Sequence, residues 1–354
     1  MLLRTLHIAD SFEAKTSTIA GSLLGLDSAL CEHDLEPTFC STNTGSDFDV
    51  ASSSSLESLI AETQLVHIHG WGSEIAQAAA RRALKDGKPY IISSLGTLVQ
   101  QPFSRESKLT RLRSWLSDRR LIHGAASLTA TNEAERNELA NRFPALRVDT
   151  LTYGLDFNQF RMLTMDTTPS SLIPEGKILL HLGPIHPQEG LVPLLKSFAE
   201  LGLDSEGWAV VLAGEDAEGW QAQLEAAVRR KGANQRVTFI SESGLACQRY
   251  LLSRASIFMA TGLRFRSPAA ILQALACEVP VLTSKQLTPP GLEHVIRICE
   301  PTRESIRPAL GELMNSGDDQ RKKIASTALS HAKEIADWSA CAKSWAALYE
   351  QIIK

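Results

Sequence analysis

Ile178-Leu179-Leu180-His181-Leu182-Gly183-Pro184-Ile185-His186-Pro187-Gln188-Glu189-Gly190 is the stretch on which the reading of this chain turns. An apolar run of strand length ends in a glycine, a turn follows, and a second glycine opens onto the apolar helical pattern of Leu191–Leu201. A glycine closing a buried strand lets backbone N–H groups approach an anion, and the start of the next helix adds its dipole. A tight strand-to-helix turn accounts for the same residues equally well. In a second window, Arg264–Thr283, the residues Arg264, Phe265, Arg266 and Ser267 precede Pro268, which suits a first helical position. The helix runs on through Ala269, Ala270, Ile271, Leu272 and Gln273, and its free N–H groups are placed to meet a pyrophosphate.

Outward from these windows, strand-like runs alternate with amphipathic segments. Leu3–Asp10 is followed by Thr18–Cys31, Leu65–Gly70 by Ser73–Leu84, Pro89–Gly96 by Leu109–His123, and Ser127–Thr131 by Glu133–Asn141, before a return to an extended segment at Val148–Gly154. Thr, Ser and Pro cluster over Met162–Gly176, a linker signature. A second round offers strands at Ile178–Gly183, Ala209–Gly214, Arg236–Ser241, Ala255–Thr261 and Val279–Ser284, with helices near Leu191–Leu201, Trp220–Lys231, Ala246–Ser253 and Pro268–Cys277. The alternation predicts an α/β protein of two Rossmann-like, doubly wound domains facing across a cleft, where ligands bind at the carboxyl ends of strands. The divisions fall at 1–165 for an amino-terminal domain, 166–335 for a second domain, and 336–354 for a final helix packing back on the first. Trp338, Trp345, Leu348, Tyr349 and Ile352 give that tail a helical apolar stripe.

Composition narrows the function. The chain has 354 residues, 44% of them apolar and 21% charged, with a formal net charge of -4, which fits a folded chain without the basic excess that nucleic acid attracts. Lys108, Arg111, Arg113, Arg119 and Arg120 read as a solvated helical face. The six cysteines have no metal-ligand spacing, and a reducing cytosol suits them. The opening ten residues read as a strand, and no apolar stretch is long enough to span a bilayer, so a membrane role is peripheral. His67 and His69 share one face of a strand; with no third ligand evident in the sequence, a packed or hydrogen-bonded pair is expected and no metal. His69, ahead of Gly70 and Trp71, is the better candidate for the cleft.

These residues carry a resemblance over nearly the whole chain. Gly183, His186-Pro187, Glu189-Gly190, Val211-Leu212-Ala213-Gly214, Ala255-Ser256-Ile257-Phe258 and Gln273-Ala274-Leu275-Ala276-Cys277-Glu278-Val279-Pro280 resemble the carboxyl-terminal domain of the retaining glycosyltransferases of family 4, which have the GT-B fold. Val66-His67-Ile68-His69-Gly70, Ser93-Ser94-Leu95-Gly96-Thr97, Ala130-Thr131-Asn132-Glu133-Ala134-Glu135 and Tyr153-Gly154-Leu155-Asp156 resemble its acceptor domain. The resemblance implies transfer of a sugar from a nucleoside diphosphate sugar, as co-substrate and with no other cofactor, to the hydroxyl of a glycan or lipid-linked acceptor. It also implies a cytoplasmic protein, at or near the inner membrane face, for which a peripheral membrane or protein partner is in keeping.

The family's active residues map onto altered positions. An arginine and a lysine that meet the departing diphosphate correspond to Pro184 and Glu189; the paired glutamates correspond to Phe265 and Gln273; a histidine near the sugar corresponds to Leu95. A proline offers no donor and a carboxylate repels phosphate, whereas Gln273 retains hydrogen-bonding capacity toward a ribose. Gly183, Gly190, Arg264, Arg266, Ser267, Ala269, Ala270 and Gln273 are the donor-site candidates, and Lys15, His69, Gly96 and Thr97 those of the acceptor side. Two readings follow: a transferase with an altered phosphate clamp drawn from Arg264, Arg266 or Lys15, or a non-catalytic relative that binds a nucleotide, a glycan or a protein.

Overall fold

Alternating strands and helices of this order settle into two sheets, every strand pair of which is parallel. The computed structural model of the protein describes residues 2–10, 23, 25–42, 50–99, 118–162, 173–202, 206–216, 219–229, 236–241, 244–263 and 267–354. The chain divides into two compact units, Met1–Tyr153 with Trp338–Lys354, and Gly154–Asp337.

In the first unit the strands are β1 (Leu3–Ile8), β2 (Leu35–Ser41), β3 (Val50–Ser52), β4 (Leu65–His69), β5 (Tyr90–Ser93), β6 (Ser127–Ala130) and β7 (Val148–Thr150), in the order β3-β2-β1-β4-β5-β6-β7. Its helices are α1 (Leu26–Cys31), α2 (Leu56–Glu62), α3 (Glu74–Lys85), α4 (Glu133–Arg142) and, returning from the far end of the chain, α12 (Trp338–Ile353). Successive strand residues face opposite ways, so each strand serves two cores. Leu6, Ile8, Val66, Ile68 and Ile92 pack with Ile60 of α2 and Ala79 and Ala80 of α3. On the other face Leu35, Phe39, Leu65 and Ile91 pack with Tyr153 and with Trp338, Trp345 and Tyr349 of α12.

The second unit holds β8 (Lys177–Leu182), β9 (Trp208–Ala213), β10 (Val237–Ile240), β11 (Ile257–Ala260), β12 (Val281–Ser284) and β13 (Arg297–Cys299), in the order β10-β9-β8-β11-β12-β13. Around this sheet run α5 (Phe157–Met162), α6 (Leu191–Glu200), α7 (Trp220–Arg229), α8 (Leu245–Arg254), α9 (Ala269–Ala276), α10 (Arg303–Asn315) and α11 (Asp318–Ala336). The carbonyls that end α10 are met by Arg321, whose buried guanidinium donates to Leu313 O at 3.2 Å, to Met314 O at 3.3 Å and to Ser316 O. The same group lies 5.2 Å from the Trp208 ring centroid, so a buried cation here terminates a helix and covers an aromatic face.

The structure adds elements that periodicity did not reveal. β2 carries Pro37 and Glu36, β3 and β13 are three residues each, and α10 contains Pro308 and Gly311, so the local residues work against the element that tertiary packing imposes. Asp337, in an extended conformation (φ -70, ψ 144), separates α11 from α12. Among the described residues no helix is long and apolar enough to cross a membrane.

Candidate functional site

The turn after β8 is built around glycine. Gly183, at φ 153, donates its N–H to Ala213 O at 2.9 Å, and Ile185 donates to Glu215 O at 2.8 Å, tying the turn to the end of β9. His186 then starts a single 3-10 turn over Pro187–Glu189, its Nδ1 accepting the Gln188 N–H at 3.2 Å. Gly190 closes that turn in the left-handed region at φ 68 and opens α6 with no side-chain cap. Its α-carbon is pressed against β11: a Cβ at Gly190 would lie 2.8 Å from the Thr261 carbonyl carbon and 3.2 Å from its Oγ1. Leu263 donates to Gln188 O at 2.7 Å, which ties the turn after β8 to the segment that follows β11.

Glu189 is buried within this turn. Its Oε2 is 3.9 Å from the point a Cβ would occupy on Gly183 and 3.4 Å from the corresponding point on Gly262, while His181 Nε2 is 3.2 Å from the Gly183 point. The acid therefore lies on the floor between two glycines, beside Pro184, and not on an outer surface. Phe265, Arg264, Arg266 and Lys15 lie outside the described residues, as do Lys108, Arg111 and Arg113.

Among the described residues the start of α9 carries no cationic side chain. Pro268 occupies the N-cap position, and Ser267 Oγ accepts the Ala269 N–H at 3.3 Å. Ala269 is buried and Ala270 half-buried. One turn on, Gln273 is fully buried with neither its Oε1 nor its Nε2 hydrogen-bonded. Thr261 Oγ1 and Gln188 Oε1 are likewise buried without a hydrogen-bond partner. Each unmet polar group costs about 1–3 kcal/mol against a partnered one. All three belong to the second unit and mark hydrogen-bonding capacity that the chain itself does not use.

At the carboxyl end of β5 in the first unit, Leu95 at φ 47 and Gly96 at φ 82 form a constrained turn. Leu95 is buried and aliphatic, so no polar group stands at that position. Thr97 Oγ1 accepts the Trp71 N–H at 2.8 Å and donates to Ser94 O at 2.6 Å. What holds the turn is Glu135, which the sequence reading did not single out. Its fully buried carboxylate accepts the Gly96 N–H at 2.6 Å through Oε1, and the Thr131 N–H at 2.8 Å and Oγ1–H at 2.9 Å through Oε2. Its signal was Asn132 three residues earlier, the spacing of an N-terminal helix box; Asn132 Oδ1 accepts the Glu135 N–H at 2.9 Å. Glu135→Gln supplies one acceptor oxygen where three donors converge. We expect the first unit to lose about 1–3 kcal/mol, read from the urea midpoint with an unchanged slope.

His69, an acceptor-side candidate, is buried beneath this end of the sheet, and the third histidine that the sequence did not reveal is His7, paired with His67 across β1 and β4. Ring-nitrogen ligand atoms of His7, His67 and His69 lie within 4.8 Å of one another. Their geometry is that of a hydrogen-bond chain. His7 Nδ1 is 3.0 Å from His69 Nε2, His7 Nε2 is 3.3 Å from Thr5 Oγ1, and His69 Nδ1 is 2.6 Å from Tyr153 OH. His67 Nδ1 is 2.5 Å from Tyr349 OH and its Nε2 is 2.7 Å from Ser93 Oγ. Every ring nitrogen is engaged, and the His67 and His69 rings are stacked, with centroids 4.4 Å apart and planes at 22°. Stacked imidazoles aim their in-plane lone pairs alongside one another, whereas metal ligands converge on one point. Burial holds all three rings neutral: it brings His7 down to about 3, and it pushes His67 and His69 well below the usual histidine value, with neighbouring imidazoles as the lesser cause.

Comparison with known proteins agrees with this architecture. Residues 167–324 match the family model described as glycosyl transferases group 1, and residues 43–154 match the glycosyl transferase 4-like domain. Among solved structures, sucrose-phosphate synthase from Thermosynechococcus elongatus superposes with a TM-score of 0.73 at 14% identity, over 99% of each chain. Anabaena HepE in complex with UDP and glucose gives 0.72 at 16% identity, over 99% of this chain and 100% of that one. An E. coli trehalose-6-phosphate structure bound with UDP-2-fluoro glucose gives 0.69 at 10% identity over 99% of both. No curated protein matches the sequence.

Proposed function

We propose that this chain, which carries the paired domains of a GT-B glycosyltransferase, binds a nucleoside diphosphate sugar through its second unit and transfers the sugar, with retention, to an acceptor hydroxyl. The observation that carries this reading is the Gln273 amide, fully buried on α9 with both polar atoms unpartnered, at the position the resemblance assigns to the nucleotide ribose. A ribose offers vicinal hydroxyls that donate and accept, which is what an amide oxygen and an amide N–H together require. Thr261 Oγ1 and Gln188 Oε1 add neutral hydrogen-bonding capacity in the same unit, and the tight Gly190 turn supports a close backbone approach. Because HepE binds UDP and glucose, a uridine diphosphate sugar is the first donor to try. The acceptor is a glycan or a lipid-linked hydroxyl at the cytoplasmic membrane face.

A second reading, a binding protein without turnover, is favoured by one specific observation: Glu189 lies buried beside Gly183 and Pro184, where a departing diphosphate needs positive charge. Calorimetric binding across a panel of nucleoside diphosphate sugars separates the outcomes. Binding with release of nucleoside diphosphate in the presence of acceptors supports transfer, binding without release supports a nucleotide-binding protein without turnover, and no binding to any member overturns both of these and leaves only a glycan- or protein-binding relative. Gln273→Leu sharpens the test. Removing an unpartnered buried amide should raise the stability of the free protein by about 1 kcal/mol while weakening nucleotide binding about tenfold or more. An unchanged affinity in that variant would remove the ribose from Gln273.

A further inference from the structure

We propose that the His7, His67 and His69 trio is a proton-operated latch: when it takes up protons, α12 is driven off its face of the first sheet while the opposite face stays closed. The geometry carries this in two parts. First, the trio sits on the α12 face alone. His7 and His67 pair across β1 and β4 on the face opposite Leu6, Ile8 and Ile68, and the helix they touch is α12. Tyr349 OH is bonded to His67, and the Trp345 ring lies 5.0 Å from His67 and 5.9 Å from His69. Second, the hydrogen bonds already use each neutral ring as one donor and one acceptor. His7 Nδ1 and His69 Nε2, 3.0 Å apart, share a single proton, so a second one places two donors face to face.

Among the described residues, the groups in contact with the trio include none that would compensate added charge. β1 contributes Thr5, β2 the Phe39 ring, β5 Ser93, β6 Thr129 bonded to Ser93 at 2.6 Å, the segment before the unit boundary Tyr153, and α12 Trp345 and Tyr349. Glu135 of α4 bears on Tyr153, and its carboxylate is already taken by Gly96 and Thr131. Protonation is therefore relieved by wetting the rings, and among the described residues α12 is the helix whose side chains lie against them. The sign follows from burial. The docked form holds its histidines below their free value, so it binds fewer protons; docking is intact above about pH 6.5 and weakens as pH falls below that value.

Native-state hydrogen exchange on the full chain, corrected for intrinsic rates, tests this at about pH 7.5 and pH 5.5. Each histidine that becomes wet on opening multiplies the open fraction by roughly tenfold over that interval, and all three by roughly a thousandfold. Protection of α12 amides should fall by roughly 10-fold to 1000-fold, while amides of α3, on the opposite face, keep theirs. His69→Gln should shrink the drop by roughly tenfold, since one titrating ring is gone. Equal losses in α12 and α3 would show ordinary acid unfolding and overturn the latch, as would unchanged protection in both. The wild-type comparison of the two helices decides the matter even if the variant does not fold.

Discussion

Gly190→Ala is expected to destabilise the second unit by about 2–5 kcal/mol and to abolish its nucleotide binding. Two separate costs meet at this position. The backbone is left-handed at φ 68, which charges any β-carbon about 1–2 kcal/mol. The added carbon would also sit 2.8 Å from the carbonyl carbon of Thr261, and closer still to its oxygen, so a strand end rather than a flexible side chain has to move. Overpacking of that kind costs about 1–3 kcal/mol. Gly202→Ala is the matched control, because it shares the positive φ (55) but has nothing within 4 Å of its would-be Cβ. Denaturant midpoints of the two variants, taken with the wild type, separate backbone strain from close approach. If Gly190→Ala is no worse than Gly202→Ala, the contact between the β8 turn and the end of β11 does not organise the site.

That contact also shows what was legible beforehand. Gly183, Gly190 and the apolar run between Ala269 and Ala276 announce themselves through glycine freedom and helical pattern, and both parallel sheets were readable from alternation because buried parallel strands are continuously apolar. The resemblance to a GT-B glycosyltransferase, carried by motifs in both halves, is met by the fold and by the two family matches. Where local residues oppose the final element, pattern fell short: Pro37 in β2, Pro308 and Gly311 in α10, and the three-residue edge strands β3 and β13 take their form from neighbours far along the chain. Glu135 and His7 were illegible for a different reason. Their roles depend on partners 39 residues away at Gly96 and 62 residues away at His69, and no local spacing encodes such a meeting. The same holds for the unpartnered amide of Gln273, since burial of a polar group is a property of the packed unit and not of its sequence neighbours.

Trp345→Ala should cost the first unit about 3–5 kcal/mol, the range for truncating a fully buried tryptophan. The ring is at the centre of the aromatic packing that seats α12: Tyr153 and Trp338 lie at centroid distances of 5.0 and 5.3 Å, and His67 at 5.0 Å. Its Nε1–H donates to Thr152 O at 3.0 Å, so truncation opens a cavity and also strips a partner from a main-chain carbonyl. Trp345→Phe keeps much of the volume but loses that donor, and the difference between the two variants apportions packing against the hydrogen bond. Because α12 meets β4 across 282 positions of the chain, at Tyr349 and His67, a large loss would also mean that the first unit is not a finished fold until α12 has been made. Thermal or urea unfolding of the full-length variants checks this. A loss below about 1 kcal/mol for Trp345→Ala would show that α12 rests on a sheet already stable without it, and would leave the histidine rings with no lid to release.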